Sequence, residues 1–377
     1  MRKTFMFRLY PTRQQISLLS DTLELCRWVY NETLATRKNA WEQEHQSLSL
    51  YATNKLLTGW KQARPELARV HSQVLQNVQE RVDLAFKAYF RRVKAGGEKP
   101  GYPRFKGYGR YDSFTFKQSG FALQGNGVQL SKIGLVKIKQ HRPIEGTIKT
   151  LSIRRDAVGS WYACFACETE PHPLPTRAKA VGVDVGLKSF ATFSKGERIA
   201  NPRFFRRDEQ ELAKAQRKLS KAEKGTPERA RRRKVVAQVY QRMVNRRKDF
   251  AHQLSRSMVN TYGIIALEKL NTQGMLHNHY LAKSIADAAW HQLVRCTLYK
   301  AEEAGRVCVL VDPDGTTQRC SRCGRVVKKS LAVRIHDCPG CSLKMDRDEN
   351  AAINILALGL QCLDASPRSH AASAAVE

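Results

Sequence analysis

Two pairs of cysteines have the spacing of metal ligands. Cys320 and Cys323 form one C-x-x-C pair, Cys338 and Cys341 form the other, and 14 residues lie between the pairs. Four thiolates with this spacing can close a tetrahedral Zn²⁺ site, and such a site stabilises a module too small for a core of its own. We therefore predict one structural Zn²⁺.

Acidic residues stand at the edges of apolar runs in the same half of the chain. Asp184 lies inside VGVDVG, Glu268 ends GIIALE, and Asp346 and Asp348 open DRDENAAINIL. A carboxylate inside a buried strand is costly unless it is paired or binds a cation. Three such positions could converge on two Mg²⁺ ions, which bind a scissile phosphate and activate water. Separately, either Asp could be a helix N-cap and Glu268 a surface residue.

The charge balance points to a polyanionic partner. The 377 residues include 65 Lys plus Arg against 34 Asp plus Glu, a net charge of +31. Nucleic acid is the expected partner of such an excess. A membrane surface is the alternative, but no apolar stretch approaches about 18 residues and the start resembles no signal peptide. We expect a cytoplasmic protein in a reducing compartment, with its six other cysteines structural.

Hydrophobic periodicity divides the chain into elements. KTFMFRLY alternates like a strand, helical spacing follows from about 14 to 94, and short strands with Gly turns continue to about 170. The strands on either side of the helices are predicted to form one barrel. PHPLPTRAK is a Pro-rich linker to a second domain of buried strands, basic helices, the cysteine module and a closing helix. SIADAAWHQLVRCTLYKAEEAG is predicted to be one amphipathic helix.

Several motifs, taken together and in order, resemble the TnpB family, the transposon-encoded ancestors of type V CRISPR nucleases. They are GVDVG at 182–186, LEKL at 267–270, the two cysteine knuckles and DRDENAA at 346–352. FRLYPT, KAYFRRVKAG, GYPRFK, VNRRKDFAH and SIADAAW fit the same family. The resemblance covers nearly the whole chain.

This resemblance implies a RuvC-like nuclease with an RNase H fold, in which Asp184, Glu268 and Asp348 are the metal ligands. Asp348 is preferred to Asp346 because the family's third carboxylate is the second Asp of DRD. The resemblance also implies that an RNA from the element's end is bound as guide. It directs cleavage of double-stranded DNA beside a transposon-adjacent motif. We expect a prokaryotic monomer that acts at the nucleoid.

The expected fold class is α+β and multidomain. A wedge-like β-barrel (1–12 and 96–175) carries a helical recognition insertion (13–95). A RuvC-like α/β nuclease domain (176–315 and 345–362) carries the inserted Cys₄ zinc ribbon (316–344), and the chain ends in a disordered tail (363–377).

Nucleic-acid contacts are expected from two regions. The stretch 205–250 holds 16 Lys or Arg against six Asp or Glu, so it could line a guide–target duplex or be a solvated helix face. Its predicted backbone contacts are Arg231, Arg232, Arg233, Lys234, Arg246 and Arg247. In the other region, residues that align with the family's readers of the adjacent DNA motif are Tyr51, Ser72, Gln73, Gln76 and Thr115. Gln76 and Asn77 are plausible readers of adenine edges, although packed helices also carry incidental polar residues.

Three other functions are alternatives to an RNA-guided nuclease. One is a nuclease-inactive repressor that binds DNA by RNA guidance, which the intact acids disfavour. The second is a transposase or accessory DNA-binding protein, but His277-Asn278-His279 lacks the hydrophobic centre of a single-strand transposase motif. The third is a zinc-ribbon RNA-binding protein without catalysis, whose function would not depend on the acids.

Overall fold

The computed structural model describes residues 1–96, 100–330 and 332–365. The chain divides into two compact units, with the boundary between Thr169 and Glu170. The predicted linker, PHPLPTRAK, therefore starts just after this boundary. Each unit is built around its own sheet.

The first unit contains a seven-stranded sheet in the order β2-β6-β7-β1-β5-β4-β3, with every neighbouring pair antiparallel. The opening strand, β1, lies in the middle because its alternating Phe5, Phe7 and Leu9 face the core. The strands before and after the helices thus share one sheet, as predicted. Their bounds are β1 Arg2–Tyr10, β2 Ser113–Phe116, β3 Phe121–Gln124, β4 Gly127–Leu130, β5 Gly134–Lys139, β6 Thr147–Arg155 and β7 Trp161–Glu168.

The helices of this unit lie between β1 and β2 in the sequence. They are α1 (Arg13–Glu44), α2 (Leu50–Ala63) and α3 (Ser72–Lys94), with a short 3₁₀ turn before α3. A capping box fixes the start of α1, because Thr12 and Gln15 satisfy each other's backbone N–H groups. The apolar stripes of α1 and α3 bury side chains such as Leu23 and Val78 against the sheet.

The second unit contains a five-stranded mixed sheet in the order β10-β9-β8-β11-β12. The strand β9 is antiparallel to both of its neighbours, β10 and β8, whereas β11 is parallel to both β8 and β12. The bounds are β8 Ala180–Val185, β9 Ser189–Phe193, β10 Arg198–Ala200, β11 Ile264–Glu268 and β12 Val307–Val311. Parallel strands are covered on both faces, which explains the nearly continuous apolar runs of β8 and β11.

The helices of this unit connect and cover the strands. They are α4 Phe204–Lys221, α5 Pro227–Thr261, α6 Thr272–Met275, α7 Ala282–Ala288, α8 Trp290–Glu303 and α9 Arg347–Asp364. The basic stretch is a helical pair, α4 and α5, packed through Leu212, Val239 and Met243. The single helix predicted over SIADAAWHQLVRCTLYKAEEAG is wrong in one respect. Ala289 adopts a left-handed conformation with φ 51°, which ends α7 and starts α8.

The cysteine module lies between β12 and α9 and contains one short hairpin, β13 (Ile335–Asp337) with β14 (Lys344–Asp346). The strand β14 leads directly into α9. The predicted tail from 363 begins slightly too early, because α9 continues to Asp364, and 366–377 lie outside the described residues. Among the helices described, none combines the length and apolar character needed to cross a bilayer.

Candidate functional site

Two of the predicted acids lie side by side at one edge of the second sheet. In the parallel pair of β8 and β11, Val183 is opposite Leu267, so the next residues along each strand are Asp184 and Glu268. Neighbouring strands are about 4.8 Å apart, and aligned residues of a parallel pair point to the same face. Both acids are buried, with 8% and 7% of their surfaces exposed.

The third acid, Asp348, is brought to this edge by the packing of α9 across the sheet. It lies in the first turn of α9, and Gly182 lets that helix approach β8 closely. A Cβ at Gly182 would stand 2.0 Å from the backbone oxygen of Ala352. The glycine before Asp184 is therefore required by the helix that carries Asp348.

The electrostatic environment of Asp184 includes the other two carboxylates. Burial raises the pKa of Asp184 well above its usual range, and the carboxylates of Glu268 and Asp348 raise it further. Burial also raises the pKa of Glu268, and a hydrogen bond from Thr316 opposes that shift. The Thr316 hydroxyl donates to Oε1 of Glu268 over 2.6 Å. Cations would relieve this concentration of buried negative charge.

Arginines hold Asp348 on its other side. Nη2 of the buried Arg347 lies 2.9 Å from Oδ1 of Asp348, and Nη1 of Arg334 lies 3.7 Å from Oδ2.

Asp346 has a different role, because its carboxylate accepts the N–H groups of Asp348 and Glu349 and so caps α9. It also pairs with Arg198 at 3.0 Å. The carboxylate of Asp346 is therefore used to cap α9, whereas the carboxylate of Asp348 takes no part in the cap.

The four predicted metal-binding cysteines converge. The Sγ atoms of Cys320, Cys323, Cys338 and Cys341 all lie within 4.8 Å of one another, close enough to bind one metal ion together. Burial would raise the pKa of Cys338, but N–H groups of Gly340 and Cys341 lower it to about 6. A low thiol pKa favours the thiolate that binds a metal.

Buried asparagines join the cysteine module to α9. Asn350 Nδ2 donates to the carbonyl oxygen of Arg319 over 2.8 Å, and its Oδ1 accepts the N–H of Ser321 over 3.0 Å. One turn later, Asn354 donates to the carbonyl oxygens of Thr316 and Arg319. The sequence analysis missed Thr316 and both asparagines. Two Asn residues four apart on the apolar helix that follows DRD were the available signal.

The predicted backbone contacts on α5 fall into two groups. Arg233 and Lys234 are exposed and make no ion pair within the part of the chain that the structure describes. The others form ion pairs: Arg231 and Arg232 with Glu228, Arg246 with Asp208, and Arg247 with Asp287. Arg247 is also largely buried, with 20% of its side chain exposed. The first group is better placed to meet a phosphate.

The predicted readers of a DNA motif all belong to the first unit, and two of them present available side chains. Tyr51 is 71% exposed, with the ammonium of Lys55 4.7 Å from its ring centre. Gln76 is exposed on α3 and forms no hydrogen bond within the described ranges. These two side chains are open to a partner.

The remaining predicted readers hold parts of the first unit together. Ser72 accepts a hydrogen bond from Lys61, and Gln73 accepts the N–H groups of Gln118 and Ser119. A single guanidinium, that of Arg81, donates to both Asn77 and Thr115. Their polar atoms are therefore already engaged in the unit's own structure.

Comparison with known proteins decides the family. A family model described as a probable transposase (OrfB_IS605) matches residues 164–279, and one described as a Cas12f1-like TNB domain matches 290–355. A putative RNA-guided DNA endonuclease from Streptomyces pristinaespiralis is 36% identical, over 95% of this chain and 90% of its own. This chain belongs to the TnpB family.

A second relative agrees with this membership. The putative RNA-guided DNA endonuclease InsQ of Escherichia coli K12 is 27% identical over 95% of this chain and 92% of its own. Among solved structures, the mini-RNA-guided endonuclease CRISPR-Cas_phi3 aligns over 96% of this chain and 92% of its own, at 8% identity and a TM-score of 0.49. A helix-turn-helix model matches residues 1–46, which here form one strand and one continuous helix.

Proposed function

We propose that this TnpB-family protein is an RNA-guided DNA endonuclease of a transposable element. The observation that carries the proposal is the convergence of Asp184, Glu268 and Asp348 at one sheet edge, where burial and the other two carboxylates raise the pKa of Asp184, and burial raises the pKa of Glu268. Relatives that cover nearly the whole chain are named as putative RNA-guided DNA endonucleases.

We propose that the second unit has the RuvC-like RNase H fold. In chain order, three antiparallel strands (β8, β9, β10) precede two parallel ones (β11, β12), with one acid on β8 and another at the end of β11, and this topology supports the assignment. The acid on the following helix, Asp348, completes the set.

The residues present fit a pair of divalent cations. Oxygen ligands from Asp184, Glu268 and Asp348 suit Mg²⁺, and bound cations would offset the burial and the neighbouring carboxylates that raise the pKa of Asp184. Bound Mg²⁺ would supply Lewis acidity toward a phosphodiester and lower the pKa of a bound water. Thr316 orients the Glu268 carboxylate, while Arg347 and Arg334 hold Asp348 before ions bind.

Zn²⁺ is the metal that we propose for the four cysteines. Sulfur ligands in a Cys₄ set suit Zn²⁺, and four thiolates fill its tetrahedral coordination. Its contribution is therefore structural. By fixing Arg319 and Ser321, which Asn350 holds from α9, the metal would also fix the position of the helix that carries Asp348.

The guide RNA and the DNA target are assigned by charge and exposure. Arg233 and Lys234 on α5 are proposed to contact phosphates of the guide–target duplex without reading its sequence. The first unit, with its wedge-like barrel and helical insertion, is proposed to read the adjacent motif through Tyr51 and Gln76. The protein is proposed to act as a monomer.

The direct test is expression with the flanking sequence of the element, sequencing of co-purified RNA, and cleavage of plasmids that carry a randomised motif beside a guide match. A discrete RNA and Mg²⁺-dependent cutting that follows both guide and motif are expected. Guided binding without cutting would favour a repressor, and absence of any bound RNA would contradict the proposed function.

A further inference from the structure

An aromatic cleft of about 270 Å³ opens in the first unit, away from the predicted motif readers on α3. It lies between the end of α1, the loop that follows, the end of α3 and the segment around 102. Five rings line it, and the term "aromatic cleft" refers to them below: Trp41, Phe86, Tyr89, Phe90 and Tyr102.

The floor of the cleft is rigid. The ring centres of Tyr102 and Tyr89 lie 5.2 Å apart and those of Tyr102 and Phe86 5.6 Å apart, both edge to face. Arg37 packs its guanidinium 4.5 Å from the centre of the Phe86 ring and is held by Asp83 at 3.0 Å. Because these contacts fix the lower rings, the cleft is formed before any ligand arrives.

Three of the five rings also expose much of their surface to solvent. Trp41 is 56% exposed, Phe90 57% and Tyr102 42%. Three large aromatic rings in one cleft expose apolar surface that a ligand can bury favourably. Exposed patches of this kind mark binding sites on soluble proteins.

The rim combines positive charge with hydrogen-bonding groups. The last turn of α3 exposes Arg91, Arg92 and Lys94. Arg92 also donates to the carbonyl oxygen of Gly101 over 2.7 Å, which ties the segment of Tyr102 to α3. Gln46 and Ser47 line the opposite side and form no side-chain hydrogen bonds within the described ranges. The nearby acid, Glu42, pairs with Lys38.

We propose that the aromatic cleft binds one unpaired nucleobase of the bound RNA. RNA is read through splayed bases that stack on aromatic rings, with hydrogen bonds to their edges and cations on the phosphates. The cleft offers the rings, Gln46 and Ser47 for an edge, and Arg91 and Lys94 for the backbone. Its volume is below the roughly 300–1,000 Å³ of drug-sized pockets, which suits a single flat ring system. This inference rests on the proposed guide-RNA function.

The test uses the full-length protein and the RNA that co-purifies with it, sequenced and transcribed in vitro. Trp41→Ala and Phe90→Ala truncate the two most exposed rings of the cleft, and Trp41→Phe keeps a stacking surface. Tyr108→Ala is the matched control, because Tyr108 is 85% exposed in the same unit but outside the cleft.

Each alanine variant should lose roughly 5- to 150-fold in RNA affinity, the cost of one base–aromatic stack. Trp41→Phe should recover most of the affinity and Tyr108→Ala should match the wild type. Ultraviolet crosslinking should join Trp41 or Tyr102 to one unpaired nucleotide.

Unchanged affinity in both alanine variants, or crosslinks from these rings only to the DNA strands, would overturn the inference while RNA binding by the wild type continues. A wild type that retains no RNA would instead overturn the proposed function itself. The two failures are therefore separable.

Discussion

Gly182 in β8 lies directly beneath the backbone oxygen of Ala352 in α9, so close that an added Cβ would stand 2.0 Å from that oxygen. This contact sets the spacing between the strand of Asp184 and the helix of Asp348. A glycine in an apolar strand is thereby explained by close helix packing and not by backbone conformation.

Replacing Gly182 by Ala is expected to destabilise the second unit by about 1–3 kcal/mol, since a backbone oxygen has to move to make room. Cleavage should fall further than stability accounts for, because α9 and Asp348 shift away from β8. Thermal unfolding and cleavage rates measured on the same sample check both effects. Gly59→Ala is the matched control: it lies in α2 with nothing within 4 Å of an added Cβ, and should stabilise slightly.

Asp184→Asn is expected to raise the melting temperature of the metal-free protein. Burial, Glu268 and Asp348 raise the pKa of Asp184, so above the ordinary Asp pKa the ionised group favours the unfolded state. Replacing the ionisable group should therefore raise the melting temperature at neutral pH.

The pH dependence of that effect follows from its sign. The wild type carries no such penalty below the unfolded-state pKa, and the penalty grows as pH rises toward the raised folded-state pKa. The difference in melting temperature between Asp184→Asn and wild type, measured in chelator, should therefore be largest at neutral pH and vanish near pH 4. A constant difference at all pH values would contradict this explanation.

Cys338→Ser is expected to abolish binding of one zinc per chain, because a Cys₄ site loses affinity sharply without one thiolate. Elemental analysis by mass spectrometry measures the stoichiometry. Cleavage should fall as well, since the module holds α9 through Asn350. Cys362→Ser, an exposed cysteine outside the cluster, should keep both zinc and activity.

The double variant Arg233→Ala, Lys234→Ala is expected to weaken binding to nucleic acid of any sequence. If each residue meets one phosphate, the slope of log K against log salt should decrease in magnitude by about 2. Salt titration of affinity measures this slope. Arg247→Ala should behave differently, because that largely buried side chain pairs with Asp287: stability should fall and the slope should stay the same.

The central strands of the second unit and the acids on them could be predicted from the sequence because these signals are local. Apolar runs gave β8 and β11, and a carboxylate inside or at the end of such a run marked Asp184 and Glu268. The four cysteines converge for the same reason, since two fixed spacings define the cluster.

Other features depend on partners distant in the chain. Neither the ion pair of Arg334 with Asp348 nor the two hydrogen bonds from Arg81 to Asn77 and Thr115 has a sequence pattern. The break between α7 and α8 at Ala289 is not marked by a Gly or Pro in the sequence. Long-range packing decides such contacts, and it also decides which of the predicted motif readers present available side chains and which are engaged in the unit's own structure.

Catalysis of guided DNA cleavage by the three acids at one sheet edge is best tested with Asp184→Ala in complex with its RNA. Target binding and Mg²⁺-dependent plasmid cleavage are measured side by side with the wild type. Full guided binding and no detectable cutting are expected. Cleavage at the wild-type rate would show that Asp184 is not part of the catalytic site.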